Sequence, residues 1–249
     1  MKPSSVTNQA GVGEGVEAPV DARIKYPCYK SFDPFIDVER LKSLDRYISE
    51  RISRHIAAQK DDYFLNAHRL DPASPHQPGV REIWLTRTKS GVPYNYLDLD
   101  KAELWRKTEA AAEFSLLMDF IATLPFKATG RMLVIYDDKR TPVPAHRDHL
   151  NTEVCNDFVW LRTNLNKPLY LLNHRTDEKL YVQSYSAWFD TVNQFHGSDP
   201  QDGLSFSIRV DGVFSDEFRK RIPVPACNPA STPALWACVS DGQAPSSHI

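Results

Sequence analysis

The chain has 249 residues, 41% of them hydrophobic and 25% charged, and a formal net charge of −2. That length suits one core domain with decorations, and the near-neutral balance gives no electrostatic case for nucleic acid or an anionic membrane surface. Cys28, Cys155, Cys227 and Cys238 lack a C-x-x-C spacing, no apolar run nears the roughly 20 residues of a membrane helix, and no secretory pattern opens the chain, so reduced thiols and a cytoplasmic location are expected.

In chain order, residues 1–22 are rich in Ser, Gly, Val, Ala and Pro without a period and read as a disordered arm. From Ile36, the recurrence of Val38, Leu41, Leu44, Ile48, Ile52 and Ile56 at three and four predicts an amphipathic helix. Residues 61–100 are mixed, with short strands expected at 63–65 and 81–88. Arg81, Trp84, Arg87, Tyr94 and Tyr96 fall here as candidates for lining a substrate pocket. A second long helix is expected over 101–124, with Leu104, Trp105, Ala112, Leu116, Phe120 and Leu124 buried and Pro125 ending it.

From Arg131 strands dominate, starting with 132–136 and a charged turn at 137–140. Alternation over 157–165 places Phe158, Trp160, Arg162 and Asn164 on one face. Strands at 169–173 and 179–185 flank a polar turn. In 204–211 Leu204, Phe206, Ile208 and Val210 share one face, and Ser205, Ser207, Arg209 and Asp211 the other. A short charged helix over 216–221 precedes a Pro-rich tail, residues 223–249.

Two segments carry chemistry. In Val143-Pro-Ala-His146-Arg-Asp148-His149, strand geometry turns His146 and Asp148 to one side, with His149 out of register. About fifty residues on, Trp188-Phe-Asp190-Thr-Val-Asn193-Gln-Phe-His196-Gly supplies a second imidazole. Together His146, Asp148 and His196 would complete a 2-His-1-carboxylate facial triad, the donor set that holds Fe(II) on one face and leaves the other positions open. Arg209, thirteen residues after His196, suits a bidentate hold on the far carboxylate of a dicarboxylic acid, with Asp211 as the rival partner.

These residues resemble the Fe(II)/2-oxoglutarate-dependent oxygenases, and within them the aspartyl/asparaginyl β-hydroxylase-like branch that also holds hydroxylases of free proline. The likeness runs from about residue 131 to 213. Its Arg-x-His motif reads Arg162-Thr163-Asn164 here, and the Asn often found after the distal His is missing. The resemblance implies a mainly β fold with flanking helices and a double-stranded β-helix (jelly-roll, cupin-like) core at 131–213, helical support over 36–124, and one oxygenase domain spanning 23–222.

It also implies Fe(II) at His146, Asp148 and His196, with 2-oxoglutarate and O2 as co-substrates. The 2-oxoglutarate would be held by Arg209, with Arg162 and Asn164 as further contacts. Trp188 is expected to pack beside the metal, and Asp190 and Asn193 to orient the distal ligand. The expected activity is hydroxylation of an unactivated C–H bond of a free amino acid or an amino-acid-derived small molecule. The alternatives are a peptide or protein side chain, or a cupin-like metal protein that does not use 2-oxoglutarate and has no need of Arg209. Oligomeric state has no signature in the sequence.

Overall fold

A computed structural model describes residues 28–58, 80–93, 98–148, 157–173, 176–191, 194–221 and 237–238. The N-terminal arm, the expected strand at 63–65, Tyr94, Tyr96, Asn193 and all of the tail except Ala237 and Cys238 lie outside the described residues.

Strand β1 (Cys28–Ser31) leads into a 3-10 turn at Asp33–Phe35, whose Asp33 carboxylate accepts from Tyr185 N, Ser186 N and Ser186 Oγ. The first predicted helix forms as two, α1 (Val38–Ser43) and α2 (Asp45–Ala57). Asp37 caps α1 by accepting from Arg40 N at 2.9 Å. The break at Leu44 is tight enough that Leu41, Leu44, Ile48 and Ile52 still form one buried stripe.

The second long helix does not form as predicted. After β2 (Val80–Trp84) and β3 (Thr86–Thr88), the segment 101–124 yields a 3-10 turn at Ala102–Leu104, β4 (Trp105–Lys107), and two short helices, α3 (Glu109–Glu113) and α4 (Ser115–Ile121). Long-range contacts override helical propensity here. Trp105 stacks on Trp84 with ring centroids 6.2 Å apart, β4 pairs with β3, and Thr108 donates from Oγ1 to Trp84 O at 2.6 Å.

The remaining strands are β5 (Phe126–Asp137), β6 (Val143–His146), β7 (Asp157–Leu161), β8 (Leu169–Asn173), β9 (Glu178–Tyr181), β10 (Ser186–Trp188), β11 (Phe195–Ser198) and β12 (Ser205–Phe214). Helix α5 (Asp216–Arg221) follows, and β13 (Ala237–Cys238), from the otherwise undescribed tail, pairs with β1. The larger sheet has the order β13-β1-β10-β7-β12-β5-β2, and the smaller β6-β11-β8-β9. Every pairing among them is antiparallel. From β5 to β12 the chain crosses between the two sheets so that β10-β7-β12-β5 faces β6-β11-β8-β9. That is the double-stranded β-helix.

The core follows from the period of two. Met132, Val134 and Tyr136 of β5, Phe206, Ile208 and Val210 of β12, and Val159 and Leu161 of β7 are buried in one cluster with Leu41, Ile48, Ile52, Leu117 and Phe120 of the helices. At the end of β12, Phe214 and Phe218 meet Phe32 edge-on at 5.6 and 5.4 Å. Among the described residues, no helix is long and apolar enough to cross a membrane.

Strand β7 ends at Leu161, four residues short of the sequence expectation, and the chain turns through 162–168. Asn164 closes that turn by accepting from Asn166 N at 3.0 Å, while Thr163 Oγ1 and Asn164 Nδ2 donate to Asp45 of α2. The strand face expected to carry Arg162 and Asn164 therefore does not continue past Trp160.

Candidate metal centre

Strand pairing brings the two histidines together. His196 of β11 lies directly opposite His146 of β6, with ring centroids 4.5 Å apart. Their Nε2 atoms converge on a single carboxylate oxygen, Asp148 Oδ1, at 3.7 Å from His146 and 3.2 Å from His196. The three potential ligand atoms lie within 4.8 Å of one another. Asp148 is fixed from its main chain, where its N–H donates to Thr191 O at 2.9 Å.

Each imidazole also has its second nitrogen against a main-chain carbonyl, His146 Nδ1 on Pro144 O at 2.9 Å and His196 Nδ1 on Gln194 O at 3.2 Å. An Nδ1–H donating to each carbonyl leaves both Nε2 lone pairs turned toward Asp148. Burial, and then the neighbouring His196, lower the pKa of His146, which favours the neutral ring a metal requires. Burial pushes the Asp148 carboxyl up, but His196 and Arg209 outweigh it and hold the group well below the usual carboxylate range. Two imidazole nitrogens and one ionised carboxylate oxygen fit a divalent first-row metal.

Glycine is required beside the distal ligand. A Cβ on Gly197 would lie 2.4 Å from Val143 O and 2.6 Å from the Tyr170 hydroxyl, so only glycine lets β11 sit between β6 and β8 at this level. Phe189 packs on the other side of His196, ring to ring at 5.4 Å.

Arg209 faces the same interior, but its guanidinium is shared between two carboxylates. Nη1 donates to Asp148 Oδ2 at 2.8 Å, while Nε and Nη2 both lie 3.1 Å from Asp211 Oδ1. Its plane stands over the Phe158 ring at 4.3 Å. Asp211, fully buried, is held from the opposite side by Arg131 Nε at 2.9 Å.

The other expected site residues divide. Arg162 is buried, and its nitrogens donate to the carbonyls of Ser184, Lys167 and Val182, so it braces the 162–168 turn against the β9–β10 connection. Asn164 bonds Asp45, not the metal group. Trp188 is buried against Phe158, with ring centroids 6.1 Å apart. Asp190 is buried, and its carbonyl accepts from Gln194 N at 2.8 Å, closing the loop that delivers His196.

Arg81 lies opposite Tyr136, over that ring at 4.9 Å, and pairs with Asp138 at 2.5 Å. Arg87 lies on β3 opposite Arg106. Trp84 belongs to the row that includes Arg209, since Leu133 is paired with both. Its indole donates to Glu82 Oε2 at 2.8 Å.

Lys167 is the residue sequence reasoning missed. It is buried, and among the described residues its ammonium has one hydrogen bond, to Ser207 Oγ at 3.3 Å, two residues before Arg209 on the same strand face. Burial lowers its pKa to about 8, against the weaker opposing fields of Asp137 and Glu82. No local signal marks it, because its burial is decided by strands far away in sequence.

No family model matches this sequence, and no curated protein matches it. Among solved structures the chain is similar to a Pseudomonas putida prolyl-4-hydroxylase, with 14% identity, a TM-score of 0.38, and 79% of this chain and 97% of that one covered. It is also similar to a Trichoplax adhaerens prolyl hydroxylase in complex with a hypoxia inducible factor peptide fragment, with 12% identity, a TM-score of 0.37, and coverage of 83% and 91%. HygX from Streptomyces hygroscopicus, with nickel, 2-oxoglutarate and hygromycin B bound, is similar at 10% identity and a TM-score of 0.31, with coverage of 61% and 76%.

Proposed function

We propose that this protein is a non-haem Fe(II)/2-oxoglutarate-dependent dioxygenase that hydroxylates an unactivated C–H bond of a free amino acid or an amino-acid-derived small molecule. The observation that carries it is the convergence of His146 Nε2 and His196 Nε2 on one oxygen of Asp148, with both Nδ1 atoms against carbonyls. His146, Asp148 and His196 would hold the iron. When bound, iron and 2-oxoglutarate supply the oxidising power that carries one atom of O2 into the C–H bond and the other into succinate, with release of CO2.

The rest of the work falls to this chain's own groups. Asp148 presents one oxygen inward while Arg209 occupies the other. The far carboxylate of a dicarboxylate in the barrel needs a cation at its end. Arg209 was the candidate from the sequence, but its nitrogens are already engaged by Asp148 and Asp211. Lys167, with Ser207 beside it, is a buried cation with no carboxylate partner among the described residues. Unlike Arg162, whose nitrogens are taken up by three main-chain carbonyls, it has one hydroxyl contact, so we assign the far carboxylate to it. Phe158, Trp160 and Trp188 keep the surroundings apolar and exclude water. The amino-acid-like substrate rests on the sequence resemblance.

The test is anaerobic. Fe(II) and then 2-oxoglutarate are added to metal-free protein, and a weak visible charge-transfer absorption is expected, absent in His146→Ala. Iron binding without that absorption would transfer the site to the cupin-like alternative. Succinate formation screened across amino acids and peptides then separates a small-molecule hydroxylase from one acting on a peptide or protein side chain.

A further inference from the structure

We propose that Arg131, Asp211 and Arg209 form a buried ion chain that presents a single oxygen of Asp148 to the metal, which makes Arg131 and Asp211 positioning residues of the metal centre. The inference rests on the assignment of His146, Asp148 and His196 as metal ligands. The links run Arg131 Nε to Asp211 Oδ2 at 2.9 Å, Asp211 Oδ1 to Arg209 Nε and Nη2 at 3.1 Å, and Arg209 Nη1 to Asp148 Oδ2 at 2.8 Å. Charges alternate along it. Two Arg209 nitrogens on one Asp211 oxygen fix the guanidinium plane, and that plane aims Nη1 at Asp148. With Oδ2 occupied, only Oδ1 faces the two imidazoles, so the carboxylate would offer a metal one oxygen.

The backbone is shaped to build this chain. Strands β5 and β12 are in register through Val210↔Met132, but the next pair is Gly212↔Thr129, so Gly130 and Arg131 together oppose Asp211. A bulge of this kind re-aims a side chain, and here it turns Arg131 onto Asp211. It is pinned by Arg131 N donating to Leu99 O at 2.9 Å, and it requires glycine at 130, where a Cβ would lie 2.0 Å from Leu99 O. A buried ion network is weak as a stabilising device, since well-packed apolar residues of similar volume often do as well or better. One that ends on a ligand carboxylate has a geometric output that apolar residues cannot supply.

The experiment titrates Co(II) and, anaerobically, Fe(II) into metal-free wild type, Arg131→Met, Arg131→Lys and Asp211→Asn. It then titrates 2-oxoglutarate at saturating metal. Arg131→Met and Asp211→Asn are expected to weaken metal binding by about 10- to 100-fold, as loss of groups that orient ligands does. They are also expected to change the visible Co(II) spectrum, while 2-oxoglutarate affinity at saturating metal stays near that of wild type. Arg131→Lys, which keeps a cation opposite Asp211 and is therefore expected to fold even if Asp211→Asn does not, is expected to recover part of the affinity.

Metal affinity and Co(II) spectrum unchanged in Arg131→Met, with only a lowered melting temperature, would reduce the chain to a structural ion network. Loss of 2-oxoglutarate affinity with metal affinity intact would return Arg209 to the co-substrate. Wild-type protein that binds neither metal would overturn the metal assignment itself, and this inference with it.

Discussion

The two faces of β12 are both buried and chemically opposite. Phe206, Ile208 and Val210 meet other apolar side chains, while Ser205, Ser207, Arg209 and Asp211 face the barrel interior, with no apolar residue on that face of the segment. An apolar face stabilises the fold at about 25 cal/mol per Å² removed from water, whereas a buried charged face costs desolvation that its partners only partly return. The difference teaches that in this barrel burial does not define the core. One face holds the sheets to their helices, and the other places Arg209 between the carboxylates of Asp148 and Asp211.

The sharpest way to break that comparison is at the ligands. His196→Ala and Asp148→Ala are expected to abolish metal binding and turnover, measured by iron titration and succinate formation. Their circular dichroism should stay that of the wild type, because neither side chain belongs to the helix-backed face. Ile208→Ala is the reverse experiment. Removing a fully buried side chain beneath the helices should lower unfolding free energy by about 2–5 kcal/mol in urea, with metal affinity in the folded protein unchanged. Equal effects of the two kinds of substitution on both readouts would erase the distinction between the faces.

This distinction was legible in the sequence because it is local. A period of two over 204–211, with every apolar residue in phase, needs only strand geometry to interpret, and His146-x-Asp148 needs only the same geometry. The jelly-roll itself was reached by resemblance, and the crossing of β5 to β12 between two sheets bears it out. What failed depended on partners distant in the chain. Residues 101–124 have helical periodicity, yet Trp105 is drawn onto Trp84 and β4 onto β3. Alternation over 157–165 extrapolated a strand through a turn that Asn164 closes and that Asp45, more than a hundred residues earlier, anchors. The Arg131–Asp211 pair spans 80 residues and depends on a bulge that no composition signals.

The comparison can be refined between two cations beside the interior face, Arg209 and Lys167. Arg209 has two carboxylates, and Lys167 has one neutral hydroxyl. Lys167→Met is therefore expected to leave unfolding free energy unchanged or raised, since it replaces a buried cation by an apolar chain of similar length. The same change should weaken 2-oxoglutarate binding by about 10- to 100-fold, the worth of one charge-assisted hydrogen bond. Calorimetric titration at saturating metal measures the second quantity, and urea unfolding of the metal-free protein the first. A fall in stability with co-substrate affinity intact would make Lys167 a structural residue.

The smallest effect, and the most specific, is its pH dependence. Burial lowers the pKa of Lys167 from its ordinary 10.5 to about 8, with Asp137 and Glu82 opposing the shift from β5 and β2. Below about pH 8 both folded and unfolded chains carry the ammonium, so folding bears the full cost of burying it. Between about 8 and 10.5 the unfolded chain binds the proton and the folded chain does not, so stability contributed through this group rises with pH. Anion binding runs the other way, because only the ammonium pairs with a carboxylate. Affinity for 2-oxoglutarate should hold up to about pH 8 and then fall by less than about ten-fold over the next unit, with a proton taken up on binding. In Lys167→Met both dependences should flatten, and that difference isolates this lysine from every other group that titrates. A pH profile identical in wild type and Lys167→Met would place the cation that meets the co-substrate elsewhere, and the comparison between the two interior cations would then favour Arg209.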